Sequence, residues 1–217
     1  MNTKLIQLAT TLEALFAAQL SAVARWHADE PELPAPVVER SLDAVPALAR
    51  RMHLANFKLW HIEDQARRED RGDAYVTACK RGVDRMNQIR NDAIEQLDAC
   101  LESLITPFVP VDAPERYNTE TMAAALDRLS ISALKIYHMA IEADREDADE
   151  LHRARCREKL ERLRQQRKDL EQSVLELLEE YGQGRKRPNI YRQFKMYNDP
   201  ATNPELYAAA TRRDAHG

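Results

Sequence analysis

The sequence predicts an all-α fold: a helical bundle with a duplicated helix hairpin, giving a pseudo-two-fold four-helix core, plus an N-terminal helix and a C-terminal extended arm. Three observations carry this. Glycine is scarce, 5 in 217 residues, while Leu, Ala, Glu, Gln and Arg abound, which favours helix on propensity. Apolar residues recur at spacings of three and four along most of the chain. The middle of the chain also matches itself at an offset of 77 residues. With 44% hydrophobic and 31% charged residues, residues 1–217 read as one domain with a sizeable core and a charged surface.

Leu5, Leu8, Leu12, Leu15, Ala22 and Trp26 form the stripe of a first helix over about 3–27, ended by a loop with Pro31, Pro34 and Pro36. A second helix starts near Asp43, with Pro46 tolerated in its first turn. Its seam is Val45, Leu48, Met52, Ala55, Leu59, Ile62 and Ala66, while Leu54, Phe57 and His61 lie on roughly the opposite face. Apolar on two faces, it is expected at the centre. After a turn at Gly72 and Asp73, a third helix over about 74–106 carries Val76, Cys79, Val83, Met86, Ala93, Leu97, Leu101 and Leu104. Pro107, Pro110 and Pro114 close it. A fourth helix follows Asn118, over about 119–146, and a fifth runs from about 150 to Tyr181, where Gly182 and Gly184 stop it.

At the 77-residue offset, 13 of the 58 positions in 41–98 are identical, against roughly four by chance. Lys58 meets Lys135, His61 meets His138, Cys79 meets Cys156 and Arg90 meets Arg167. Helical periodicity accounts for shared apolar positions; it does not account for shared Lys, His, Cys and Arg. The first repeat spans about 41–106, the second about 118–182, and the arm 183–217. The first helix and the arm are expected across the outside of a four-helix core.

A net charge of −4 argues against general nucleic-acid binding. The N-terminus lacks the basic start and continuous apolar run of a signal peptide, and no run of 18 apolar residues predicts a transmembrane segment. Three well-separated cysteines, Cys79, Cys100 and Cys156, suit reduced thiols and a cytoplasmic location.

The most informative polar residues are Arg90 and Arg167, each set in the apolar stripe of its helix. A guanidinium facing a core must be paired. Glu63, Asp64, Asp92, Asp169 and Glu142 are candidate partners. Two readings stand side by side: an internal salt bridge that fixes the register, or a pocket gripping a phosphate or carboxylate. Snorkelling of one arginine to the surface is a third. His61 and His138 sit at matched positions near Lys58 and Lys135; His61 with Glu63 or Asp64 would make an acid–base pair or contribute metal ligands. No repeated Glu-x-x-His and no paired cysteines are present, so no metal ligands are assigned, and the sequence leaves the cofactor open. The basic–aromatic segment Gly184–Tyr197 reads as an arm packing Tyr191, Phe194 and Tyr197 on the bundle, with binding of phosphates, a membrane surface or single strands as the alternative.

Long blocks carry a family resemblance: 56–67, 80–98, 118–139 and 184–200, in order over most of 45–200. They resemble the bacterial family numbered 4254 among domains of unknown function. Its WH-x-ED block is matched by Trp60, His61, Glu63 and Asp64, and its N-Q-x-R-N block by Asn87, Gln88, Arg90 and Asn91. Its K-x-YH block is matched by Lys135, Tyr137 and His138. The resemblance implies an all-helical intracellular protein, often encoded near glycosyltransferases of surface-polysaccharide assembly, with no established activity.

Two functions are therefore expected to compete, with a metal-dependent helical hydrolase as a third reading behind them. In the first, the protein binds or processes an anionic sugar phosphate or nucleotide sugar. Lys58, Asn87, Arg90, Asn91, Lys135, Tyr137 and Arg167 hold the ligand, and His61, Glu63, Asp64 and His138 serve catalysis. In the second it is a non-catalytic helical scaffold or partner of a glycosyltransferase.

Overall fold

The computed structural model of the chain describes residues 2–192, 194, 199 and 201–205. Among the described residues, five long helices make the fold: α1 (Thr3–Ala28), α2 (Ala44–Ala66), α3 (Asp73–Ile105), α4 (Met122–Ala143) and α5 (Glu150–Gly182). No strand is present among the described residues, so the all-helical bundle predicted from periodicity is the fold observed. Short 3-10 turns, Glu69–Arg71 and Thr106–Phe108, follow α2 and α3.

Local chemistry sets the ends. The Asn2 side chain accepts from the Lys4 N–H, and the Asp149 carboxylate accepts from the His152 N–H. The fourth helix begins at Met122, later than its periodicity suggested, because the Thr121 hydroxyl accepts the Ala124 N–H and caps it there. Beyond α5, Gly184 takes the left-handed conformation (φ +69°), and a Cβ there would sit 2.9 Å from Pro110, so glycine is required on two counts.

The second helix is central, as its two apolar faces demand: every residue from Met52 to Phe57 is buried. It packs along α3, and α4 packs along α5; α1 touches α2, α4 and α5. The first helix is thus a full member of the core, not an outer strap. Its leucines 5, 8, 12 and 15, with Phe16, join the main cluster with Leu48, Met52, Leu97, Leu101, Leu126, Leu129 and Leu178. By length and composition α1 is apolar enough to cross a membrane; here its apolar stripe is spent on the bundle.

Contacts fix the helix directions. Gln19 and His27 of α1 meet His53 and His61 of α2, and those two meet Ser130 and His138 of α4. The three helices therefore run parallel and bring their C-terminal ends together. At the other end, the start of the arm, from Arg187 to Tyr191, lies along 111–118. Arg187 donates to the Ala113 and Val111 carbonyls, and the Tyr191 hydroxyl to the Asn118 carbonyl. Of the arm's aromatics, Tyr191 is held in this way, Phe194 is 78% exposed, and Tyr197 lies outside the described residues.

Candidate functional site

Both arginines point inward, and both are engaged within the protein. Arg90 donates from Nε to Asp127 Oδ1 at 2.9 Å and from Nη2 to Asp127 Oδ2, a two-pronged pair between α3 and α4. Arg167, 3% exposed, is ion-paired with Glu171 one turn on (2.8 Å). It also donates to the carbonyls of Leu129 (2.6 Å) and Phe16 (2.7 Å). Burial pulls its pKa below the ordinary guanidinium value, against the opposing pull of Glu171. The carboxylates are not those named from the sequence. Asp92 and Asp169 instead accept from Gln88 and Gln165 on their own helices, and Glu142 accepts from His152 and Arg145.

These pairs terminate a polar chain through the core. Asn56 donates to Asp127 (2.8 Å) and to the Ser130 hydroxyl (2.9 Å). His53 Nε2 donates to the Gln19 carbonyl (3.0 Å), so Nδ1 is the nitrogen that accepts the Ser130 O–H (2.7 Å). Burial lowers the His53 pKa to about 4, consistent with this neutral ring. Gln19 donates to the Leu126 carbonyl and faces Arg167. Every helix contributes, and the groups satisfy one another from Arg90 at one end to Arg167 at the other, which gives the chain a structural role.

The less committed polar groups lie where α1, α2 and α4 end. His27, His61 and His138 each bring a ring nitrogen to within 4.8 Å of the others. His27 Nδ1 is 2.7 Å from the Val23 carbonyl; it donates, leaving Nε2 with its lone pair. The Nε2 atoms of His61 and His138 are buried and have no hydrogen-bond partner among the described residues. Aromatic rings hold the cluster. Trp60 stacks on His138 (4.9 Å, 3°), Tyr137 on His27 (4.2 Å, 24°), and Phe57 meets His61 edge-on at 4.6 Å. Burial, then the neighbouring histidines, lower the pKa values of His61 and His138; Asp64 opposes both shifts.

Two clefts flank Trp60. One, of about 280 Å³, brings together Glu63, Asp64, Arg67 and the exposed edge of Arg90. The other, of about 450 Å³, lies between α4 and α5 and is lined by Trp60, Lys135, His138, Glu142, Lys159 and Arg162. It continues past Lys135, Leu163 and Gln166 into a lobe of about 650 Å³ that reaches Arg128 and Arg167. Arg162 and Arg128 are paired with Glu158 and Glu120. Lys135 and Lys159 are exposed and have no carboxylate partner among the described residues.

The sequence-predicted site residues thus divide. His61, His138 and Tyr137 meet at the helix ends, with Lys58 beside them in an ion pair with Glu30. Glu63, Asp64 and Arg90 share the smaller cleft, and Lys135 faces the larger. Arg167 is a strut. Asn87 is half-buried, and Asn91 is buried with an unpartnered Nδ2. No hydrogen bond joins His61 to Glu63 or Asp64 among the described residues, so the expected acid–base pair is not formed. The fold also groups three imidazoles, the third being His27, which the sequence reading did not include among the site residues. A signal was present: Trp26-His27, Trp60-His61 and Tyr137-His138 are three aromatic–histidine steps, each near the C-terminal end of a helix.

The fold and site define a five-helix bundle with an internal polar chain and a histidine–aromatic centre at one end. The chain belongs to the family described as protein of unknown function (DUF4254), whose model matches residues 46–190. No curated protein and no solved structure matches it.

Proposed function

We propose that the chain binds a phosphate-bearing sugar, free or nucleotide-linked, in the α4–α5 groove beside the histidine centre. The observation that carries this reading is the pair Lys135 and Lys159, cations with no carboxylate partner among the described residues, on a groove whose wall includes Trp60 and His138. A lysine ammonium is a compact point charge suited to phosphate. An indole face offers a sugar ring an apolar surface of matching shape. The anion-binding role moves from Arg90 and Arg167, which are engaged internally, to these lysines. A cytoplasmic setting accords with three buried, free cysteines. The implied neighbourhood of surface-polysaccharide glycosyltransferases accords with a phosphorylated-sugar ligand.

The test uses Trp60 as its own reporter. Titration with glucose 1-phosphate or UDP-glucose is expected to change tryptophan fluorescence saturably, and free glucose is not. Lys135→Met with Lys159→Met should weaken binding about tenfold or more, the worth of a charged hydrogen bond. Trp60→Phe should abolish the signal. No saturable response to either phosphorylated compound, or an unchanged affinity in the double variant, rules the reading out.

A further inference from the structure

We propose that His27, His61 and His138 form a binding site for one divalent transition-metal ion, with zinc the best match. The site goes beyond the groove reading and shares only His138 with it.

Ligand geometry is the first support. A tetrahedral ion bound at about 2.0–2.1 Å places its nitrogens roughly 3.3 Å apart. The three ring nitrogens already lie within 4.8 Å of one another on three different helices. Ligands so far apart in sequence converge because α1, α2 and α4 run parallel and end together.

The state of each nitrogen is the second support. Buried polar atoms in native proteins almost always have partners. Here two imidazole Nε2 atoms, on His61 and His138, are buried beside each other and have none among the described residues. A purely apolar junction would be filled more cheaply by phenylalanine, since each imidazole brings a nitrogen that needs a partner. His27 is prepared in the manner of a metal ligand. Its Nδ1–H is given to the Val23 carbonyl, which fixes the tautomer and leaves Nε2 as a lone-pair donor.

Orientation is the third. Ligand rings bind well when their rotamers are locked by surrounding packing. Trp60 packs on His138, Tyr137 on His27 and His138, and Phe57 on His27 and His61. Imidazole donors select zinc and its first-row neighbours over magnesium or calcium, which prefer oxygen. Three protein ligands with His27 exposed leave a coordination position open to water, the arrangement of reactive zinc sites rather than closed structural ones.

The experiment needs protein purified without a polyhistidine tag, stripped with a chelator, dialysed and titrated with zinc by calorimetry. One zinc per chain is expected. His27→Gln, on an exposed side chain and so safe for the fold, should weaken binding at least about tenfold, and His61→Gln or His138→Gln likewise. His152→Gln, on α5 outside the cluster, should bind as the parent does. Cobalt added in place of zinc should give the visible absorption of a four-coordinate nitrogen–oxygen site, lost in His27→Gln. Failure to bind near one equivalent, or binding that survives His27→Gln with circular dichroism unchanged, overturns the proposal. The titration contains no sugar, so the groove reading can fail while the metal site stands, and the reverse.

Discussion

The Asp127 carboxylate accepts both the Nε–H and the Nη2–H of Arg90, and its first oxygen also accepts from Asn56. One buried anion therefore ties α3 to α2 and α4. Removing one partner of such a pair costs more than removing both, because the charge left behind has lost its compensation. Asp127→Ala is expected to lower stability by about 3 kcal/mol, the low end for a buried pair because Arg90 is partly exposed. Arg90→Met combined with Asp127→Leu should recover most of that loss. Chemical denaturation of the three proteins at neutral pH decides it; a double variant less stable than Asp127→Ala contradicts the account.

Arg167 acts on the docking of α1, since it donates to the Phe16 carbonyl and faces Gln19. Arg167→Met should loosen α1 before it loosens the rest. Hydrogen exchange is expected to show α1 amides losing protection while those of α2 and α3 keep theirs. Uniform loss across all five helices would show that the arginine supports the whole bundle instead.

How much of this was legible in the sequence depends on the range of the interaction. The helices and the central place of α2 follow from spacing, because burial repeats with the helical turn. The inward arginines were visible for the same reason, as charges set in apolar stripes. Their partners were not. Asp127 sits in the second turn of α4 and reaches Arg90 only through the packing of α3 on α4, which no local pattern encodes. Glu171, four residues after Arg167, was within local reach. His27 was hidden because α1 lies outside the 77-residue match and has no counterpart there. That same offset joins residues in space: His53 bonds to Ser130, and His61 meets His138 with ring centroids 5.6 Å apart.

The neutral state of His53 has a pH consequence. Its pKa is about 4 in the folded protein against 6.5 ordinarily. Between those values the unfolded chain binds the extra proton, so the contribution is full above about 6.5 and is lost as pH falls through about 4. His53→Gln removes the titration. The stability advantage of the parent over this variant, measured by urea denaturation, should shrink steadily from pH 7 to pH 4.5. A constant difference contradicts the assignment.

Asp98 titrates in the opposite sense. Burial raises its pKa to about 6, although Thr121 and the Ala123 N–H hydrogen-bond to it. The folded state favours the proton, so this contribution is full below about 3.8 and is lost as pH rises through about 6. Asp98→Asn keeps an acceptor for Ala123 and carries no charge. It should gain up to about 3 kcal/mol over the parent at pH 8 and little at pH 4. Equal stability at both pH values would place the carboxylate in a better-solvated site than the structure shows.

The most direct test of a working centre at the shared end of α1, α2 and α4 is anomalous diffraction from crystals of the tag-free protein grown with zinc. Data above and below the zinc edge should show one peak, about 2.0–2.1 Å from a ring nitrogen of each of His27, His61 and His138. No peak there, or zinc bound only at another residue such as His152, would mean that the three imidazoles are packing and nothing more.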